Sequence, residues 1–250
     1  MNPWNGLLKK EFFLLRNALL TGIALLIVAF AASAVFSAAL DEQDLLAAGA
    51  ISSAFLHMFY MPLFLLISLA SEHKQMSLWL YNPQPISVLI LSKMLVILGG
   101  MIVSLFITGI YGIIVLSRFP LEQQPVDIPG LILLGSAAAV LIIATSIYIS
   151  LWLLLGWSVF FATRNYIGNW SWLAVGLLFI ALQFVTEWFQ NTAAYEAMAH
   201  WGKVELAPLT EPLGEVSTFH FYSGGLIFTA LFAILMFLAS AWLIDRKVEV

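Results

Sequence analysis

Three polar residues within one apolar stretch are the first candidates for chemistry. Ser53, His57 and Tyr60 follow one another at spacings of four and three residues, which places their side chains on one face of a helix. Gln183 and Glu187 are also four residues apart, near the end of a later apolar stretch. These side chains could line a translocation path for a substrate. They could equally hydrogen-bond a neighbouring helix, and the sequence leaves both interpretations open.

No group of residues predicts an enzyme. The chain has no cysteine, which excludes thiol catalysis, disulfides and cysteine metal sites. An intramembrane serine protease would need a Gly-x-Ser-Gly motif, and the nearest match, Gly156-Trp157-Ser158-Val159, lacks the final glycine. The His-Glu-x-x-His pattern of zinc proteases and the P-loop of ATPases are both absent. We therefore expect no catalytic site, no metal site and no cofactor in this chain itself.

The chain around these residues is strongly apolar. Of its 250 residues, 62% are hydrophobic and 10% are charged, against about 25% charged in soluble proteins. A bilayer-spanning helix needs roughly 20 apolar residues, and the charged residues all lie outside six runs of about that length. The runs are continuous rather than alternating. They predict an all-α integral membrane protein of one domain, with six transmembrane helices at about 18–39, 48–70, 94–117, 129–156, 168–186 and 224–244.

The basic residues predict the orientation, because cytoplasmic loops of membrane proteins carry an excess of Lys and Arg. With the N-terminus inside, two basic residues, Arg118 and Lys203, lie outside. Both termini of this multi-pass cell-membrane protein are therefore predicted to be cytoplasmic. The eight basic residues then inside are Lys9, Lys10, Arg16, Lys74, Lys93, Arg164, Arg246 and Lys247.

Residues 1–17 have an amphipathic pattern. On a helical wheel, Lys9, Lys10 and Arg16 share a face opposite leucine and aromatic side chains. This pattern predicts an interfacial helix whose cationic face suits anionic lipid head groups. Glu11 falls on the apolar face, where a carboxylate needs either a protein partner or a route to the head-group region.

The longest connection, residues 187–223, lies between the fifth and sixth predicted spans. It is too aromatic for a disordered tether. We expect short helices that lie on or dip into the outer leaflet, end at Pro208 and Pro212, and pack against the bundle or a dimer mate.

Small residues recur every four positions along the third predicted span. Gly100, Ser104, Thr108 and Gly112 form this stripe. Such a stripe lets a second helix approach closely, and we expect that helix to belong to the same protomer.

Residues 71–92 connect the second and third predicted spans on the cytoplasmic side. The letters SEHKQMSLWLY predict a helix that begins at Ser71, with charged residues first and apolar residues such as Trp79 after them. Pro83 and Pro85 end it, because proline disfavours helix at the residue before it. The following ISVLILSK predicts a helix that continues into the third span. A short helix held between two spans can transmit a displacement.

Together these features resemble the ABC-2 type permeases, the transmembrane subunits of ABC exporters. The resemblance covers the whole chain. Its features are Lys10-Glu11 in the first helix, the six spans, Glu72 followed by the Pro-Gln-Pro-Ile-Ser turn and Lys93, and the long outer loop. Larger members of the family carry fused ATPase domains or large outer domains, and this chain has neither.

The resemblance implies a homodimer, or a heterodimer with a similar permease, above two separate ATPase subunits that bind ATP and magnesium. The complex would export an amphipathic substrate, such as a peptide, antibiotic, drug or lipid-like molecule, from a bacterial cell. The segment from Glu72 to Tyr81 would be a coupling helix seated in a cleft of the ATPase. The residues assigned to coupling are Glu72, His73, Lys74, Trp79, Pro83 and Pro85.

An alternative function is a six-helix substrate-binding subunit or receptor that docks on other membrane machinery. It predicts a closed ligand pocket within one chain, around His57 and the fifth span. A self-powered carrier would instead need ionisable groups or broken helices near the bilayer midplane, where Pro62 is the main such feature.

Overall fold

The computed structural model of the chain describes residues 3–42, 44–73, 83–116, 128–205 and 220–247. These residues are helical apart from short turns and one small sheet. They form two compact units, Met1–Ser150 and Leu151–Val250. The fifth helix contributes its first part to one unit and its last part to the other.

The first unit contains helices α1 (Pro3–Leu40), α2 (Asp44–Leu56), α3 (Tyr60–His73), α4 (Ile86–Leu116) and the first part of α5 (Ile128–Ile167). Helix α1 packs on α2, α3 and α4. Fully buried leucine, isoleucine and methionine side chains, including Leu65, Ile90 and Met101, form its core. The opposite helix faces expose large apolar side chains, as expected for surfaces that lie against lipid.

A tight turn, His57–Phe59, joins α2 to α3. The turn precedes Pro62, which has no N–H and whose ring crowds the carbonyl four residues earlier. The helix therefore narrows to 3-10 geometry at this point. The Met61 N–H donates to Ser146 Oγ of α5 at 3.1 Å, so a neighbouring helix satisfies a backbone group at the irregularity.

The second unit contains the end of α5, a 3-10 turn (Gly168–Trp170), α6 (Ser171–Gln190), α7 (Ala193–Ala199), strands β1 (Lys203–Glu205) and β2 (His220–Tyr222), and α8 (Ser223–Lys247). Gly168 has a φ of +57°, a left-handed conformation that favours glycine where α5 ends. The two strands pair antiparallel, with Lys203 opposite Tyr222.

Aromatic side chains hold the second unit together. Trp152 of α5 packs edge-on against Phe179 of α6, with ring centroids 5.3 Å apart. Phe228 of α8 stacks on Phe189, 5.6 Å away, and meets Tyr195 of α7 edge-on. Helix α7 is thereby packed against α6 and α8.

Five helices in the described ranges are long and apolar enough to cross a membrane: Trp4–Leu40, Asp44–Glu72, Ile86–Val115, Ile132–Gln190 and Ser223–Lys247. The Ile132–Gln190 stretch, 59 residues long, covers the fourth and fifth predicted spans. Its length exceeds one bilayer crossing of roughly 20 residues, and the turn at Gly168–Trp170 interrupts it.

Helix is resumed after the prolines between the second and third predicted spans, whereas the helix end that they were predicted to cause lies outside the described residues. Helix α4 begins at Ile86, directly after Pro85, and continues to Leu116. The Pro85 carbonyl accepts the Val88 N–H at 3.0 Å, which closes the first turn of the helix. The predicted restart of the helix after the Pro-x-Pro break is confirmed.

Three expectations about the elements are wrong. Residues 3–17 are not a helix separate from the first span, because α1 continues without a break from Pro3 to Leu40. No helix begins at Ser71, since α3 continues to His73 and the Ser71 hydroxyl donates back to the Ile67 carbonyl. The outer loop is not all helical, because it contributes strands β1 and β2. Its expected helix ends at Pro208 and Pro212 lie outside the described residues.

Candidate functional site

Four charged residues form an ionic cluster where α1, α3 and α4 meet. The ammonium of Lys93 lies 2.7 Å from Glu11 Oε2 and 3.0 Å from Glu72 Oε1. Lys10 Nζ lies 2.8 Å from the same Glu72 oxygen and 3.8 Å from Glu11 Oε1. Two positive and two negative charges therefore balance within one set of contacts.

Most of this ionic cluster is withdrawn from solvent. The side chains of Lys93, Glu11 and Glu72 are 0%, 1% and 9% exposed, whereas Lys10 is 45% exposed. Burying an ion costs several kcal/mol unless a well-placed partner compensates it. The ion pairs therefore depend on the relative positions of α1, α3 and α4, which they join.

Helical periodicity explains how these charges become buried. Leu7, Glu11 and Leu15 recur every four residues on α1, and both leucines are buried, so Glu11 lies on the packed face. Lys93 lies between the buried Ile90 and Ile97 on α4 and shares their environment. Of the two alternatives left open for Glu11, the structure shows a protein partner, which is Lys93 of the same chain.

Lys93 is the member of the ionic cluster whose buried pairing the sequence interpretation missed, because the sequence indicates only a cytoplasmic lysine after the Pro-Gln-Pro-Ile-Ser turn. A pattern was present that could have identified it. Lys93 is the one charged residue between Pro85 and Arg118, so no neighbouring charge could balance it locally. Glu11 on an apolar helix face and Glu72 beside a predicted span are the complementary charges.

The ionic cluster brackets the predicted coupling segment. Glu72 lies at the start of the segment, in the last turn of α3, and Lys93 lies on α4, directly after the segment. Pro83 and Pro85 are exposed just before α4. His73 ends α3, with a side chain outside the described part of the molecule, and Lys74 and Trp79 also fall outside it.

His57 joins α2 to α4 through both ring nitrogens. Nδ1 lies 2.7 Å from the Ser53 carbonyl oxygen, and Nε2 lies 2.8 Å from Ser104 Oγ. Because a carbonyl can only accept, Nδ1 carries the proton in the neutral ring and Nε2 accepts from the serine hydroxyl. Of the two interpretations left open for His57, this geometry is that of a hydrogen bond between helices.

Tyr60 packs against His57 with ring planes 2° apart and centroids 5.8 Å apart. Its buried hydroxyl has no hydrogen-bond partner among the described residues. A Cβ added at Gly100 would lie 3.1 Å from this hydroxyl and 2.7 Å from Leu19 Cδ2. The predicted close approach of helices within one protomer is therefore confirmed at Gly100.

The stripe does not continue as a tight contact to Gly112, where an added Cβ would meet nothing within 4 Å. Gly112 and Thr108 instead line an apolar cavity of about 220 Å³ between α2, α4 and α5. The Thr108 hydroxyl donates to the Ser104 carbonyl, so its hydrogen is already engaged. His57 is not among the residues that line this cavity, although the receptor alternative predicts a pocket around it.

The other proposed path residues belong to the second unit. Gln183 and Glu187 occupy exposed positions on α6, one helical turn apart. Ser53, His57 and Tyr60 all belong to the first unit. In the described ranges, no group of three or more histidine, aspartate or glutamate side chains is placed to hold a metal ion.

Comparison with known proteins gives a full-length similarity but no family. The chain is 27% identical over 264 residues to a protein of Bacillus subtilis (strain 168) named "Uncharacterized protein YhcE". The similarity covers 100% of both chains, so both compact units take part in it. No protein-family model matches the chain, and no solved structure matches it.

Proposed function

We propose that this chain is the permease subunit of an ATP-driven ABC-2 type exporter in a bacterial cell membrane. It crosses the membrane six times with both termini inside, and it functions as a homodimer or with a similar permease. Separate ATPase subunits bind ATP and magnesium, and the pair moves an amphipathic substrate outward.

The observation that carries the proposal is the position of the ionic cluster on both sides of the coupling segment. A protein without a P-loop must receive work at a surface element that is rigidly joined to its spans. Glu72 lies at the start of the segment and Lys93 directly after its end, and both pair with residues of α1. A displacement of the segment therefore acts on α1, α3 and α4 together.

This geometry divides the coupling residues into two roles. Glu72 is buried against Lys10 and Lys93, so we assign it to anchoring the segment. Contact with the ATPase then falls to residues such as Lys74 and Trp79. The exposed Pro83 and Pro85 form the joint between the segment and α4.

The experiment is co-expression with candidate ABC ATPases from the source genome, followed by purification through a tag on the permease, and it continues with the ATPase that the wild-type permease recovers. We expect Trp79→Ala to lower ATPase recovery at least tenfold while the thermal stability of the permease stays unchanged. Trp170→Ala is the control, because Trp170 is an exposed tryptophan that lies at the cytoplasmic edge in the proposed topology. Its ATPase recovery should equal that of the wild type.

Equal recovery with Trp79→Ala and the wild type would contradict the coupling assignment. Purified chain that binds a small ligand tightly as a monomer, without any ATPase, would favour the substrate-binding subunit instead. Measuring the unfolding temperature of each variant separates loss of a contact from loss of the fold.

A further inference from the structure

The first turns of α1 present two different faces. Leu7, Glu11, Leu15 and Leu19 are buried against the protein. On the opposite side Lys9 and Arg16 are exposed, with Phe12 and Phe13 between them, and Phe13 is 56% exposed. We call Lys9, Phe12, Phe13 and Arg16 the outward cationic face.

Within the part of the chain that the structure describes, no acidic side chain pairs with the outward cationic face. Glu11 is the one acidic residue between Pro3 and Leu40, and its carboxylate faces inward toward Lys93. Lys10 also turns inward, to Glu72, and belongs to the neutral ionic cluster. Lys9 and Arg16 are therefore the two cations that α1 leaves on its outer side.

The same face continues into apolar surface. At 100° per residue, Leu20 and Ile27 lie within about 20° of Lys9 on the helical wheel. Both are exposed, and only 11% of the most apolar 18-residue stretch of α1 is buried. One continuous strip thus runs from a lysine, through two phenylalanines and an arginine, into a surface that lipid chains would cover.

Arg16 is oriented toward the polar end of this strip. Its guanidinium carbon lies 5.8 Å from the centre of the Phe13 ring, one helical turn nearer the N-terminus. Lys9 is seven residues before Arg16, which is about 10 Å along the helix axis. An arginine at this depth extends toward the head groups and leaves its methylene groups in the apolar layer.

From this arrangement we propose that the outward cationic face binds the head groups of anionic phospholipids through Lys9 and Arg16. Phe12 and Phe13 insert at the level of the glycerol backbone and the upper acyl chains. Lys10 takes no part, although the sequence pattern grouped it with the other two cations. The proposal requires that α1 lies in a membrane, and it does not depend on coupling to an ATPase.

The experiment uses the full-length protein in a neutral detergent, titrated with phosphatidylglycerol or with phosphatidylcholine of the same acyl chains. Thermal unfolding is followed by tryptophan fluorescence. We expect phosphatidylglycerol to raise the unfolding temperature more than phosphatidylcholine does. Each cation near an anionic lipid surface strengthens attraction about fivefold, so Lys9→Gln with Arg16→Gln should weaken the apparent phosphatidylglycerol affinity about 25-fold.

The charge-matched control is Arg246→Gln with Lys247→Gln, which removes two exposed cations from the end of α8. This control should keep the wild-type response, and Lys9→Arg with Arg16→Lys should also keep it. An equal loss in the control would mean that net charge alone governs binding and would overturn the proposal. So would an unchanged response in the glutamine variant, or equal responses of the wild type to the two lipids, which would favour an acidic protein on this face.

Discussion

Lys93 Nζ lies 2.7 Å from Glu11 Oε2, and both side chains are buried. The two residues are 82 positions apart in the chain and join α1 to α4. With Glu72 of α3 bonded to the same ammonium, three helices share one buried positive charge. We therefore expect the first unit to lose stability when this charge is removed.

Replacing Lys93 by methionine should destabilise the protein by roughly 3 to 5 kcal/mol, because the buried Glu11 loses its close partner and Glu72 keeps only Lys10. Lys10→Met should cost less, since Lys10 is half-exposed and water can replace it. Denaturant unfolding in detergent measures both free energies. Equal losses for the two variants would show that the ionic cluster is not anchored by its buried lysine.

Removing Glu11 together with Lys93 tests the same contact from the other side. In Lys93→Met with Glu11→Leu, the remaining Lys10 and Glu72 still form an ion pair, at 2.8 Å in the wild type. We expect the double variant to be more stable than Lys93→Met alone. A double variant at least as unstable as the sum of the single changes would contradict direct pairing.

The hydrogen bond from Ser104 to His57 predicts a second loss of stability. Ser104→Ala should cost about 1 to 3 kcal/mol, because it leaves the buried Nε2 of His57 without its donor. Ser92→Ala is the control. Ser92 is also buried on α4, but its hydroxyl donates only to the Leu89 carbonyl of its own helix. Alanine at Ser92 should be nearly neutral in the same unfolding measurement.

Tyr60 predicts a change in the opposite direction. Its buried hydroxyl has no partner in the described part of the chain, so Tyr60→Phe should leave stability unchanged or raise it by about 1 kcal/mol. Tyr111→Phe removes the same atom from a hydroxyl that lies 2.7 Å from Ser33 Oγ, and it should lower stability. If Tyr60→Phe lowered stability more than Tyr111→Phe does, the Tyr60 hydroxyl would make a stabilising hydrogen bond.

The sequence predicted the elements better than it predicted the site. Apolar runs are local, and the start of α4 after Pro85 followed from the geometry of proline alone. The predicted ends of the helices were less accurate. A helix can continue beyond the apolar residues that predict a span, as α3 does at Glu72 and His73. The strands β1 and β2 are three residues each and depend on pairing across the chain, so no local pattern indicated them.

The site residues show the same limit. The sequence indicates that Glu11 needs either a protein partner or a route to the head groups, because its position on the helix face is a local property. Its pairing with Lys93 depends on how α1 and α4 pack, and one sequence does not contain that information directly. For the same reason Lys9 and Lys10 were treated alike, although the structure places Lys10 in the ionic cluster.

The contrast between Gly100 and Gly112 tests whether the small-residue stripe serves packing. An alanine at Gly112 gains about 0.5 to 1 kcal/mol of helix propensity and meets no atom within 4 Å, so it should raise the unfolding temperature. The same gain at Gly100 is offset by overlap with the buried Leu19 and by the nearby Tyr60 hydroxyl. Gly100→Ala should therefore be less stable than Gly112→Ala, and Gly100→Leu should be less stable still. Equal unfolding temperatures for the two alanine variants would show that α1 and α4 do not need the small residue at position 100 for their close approach.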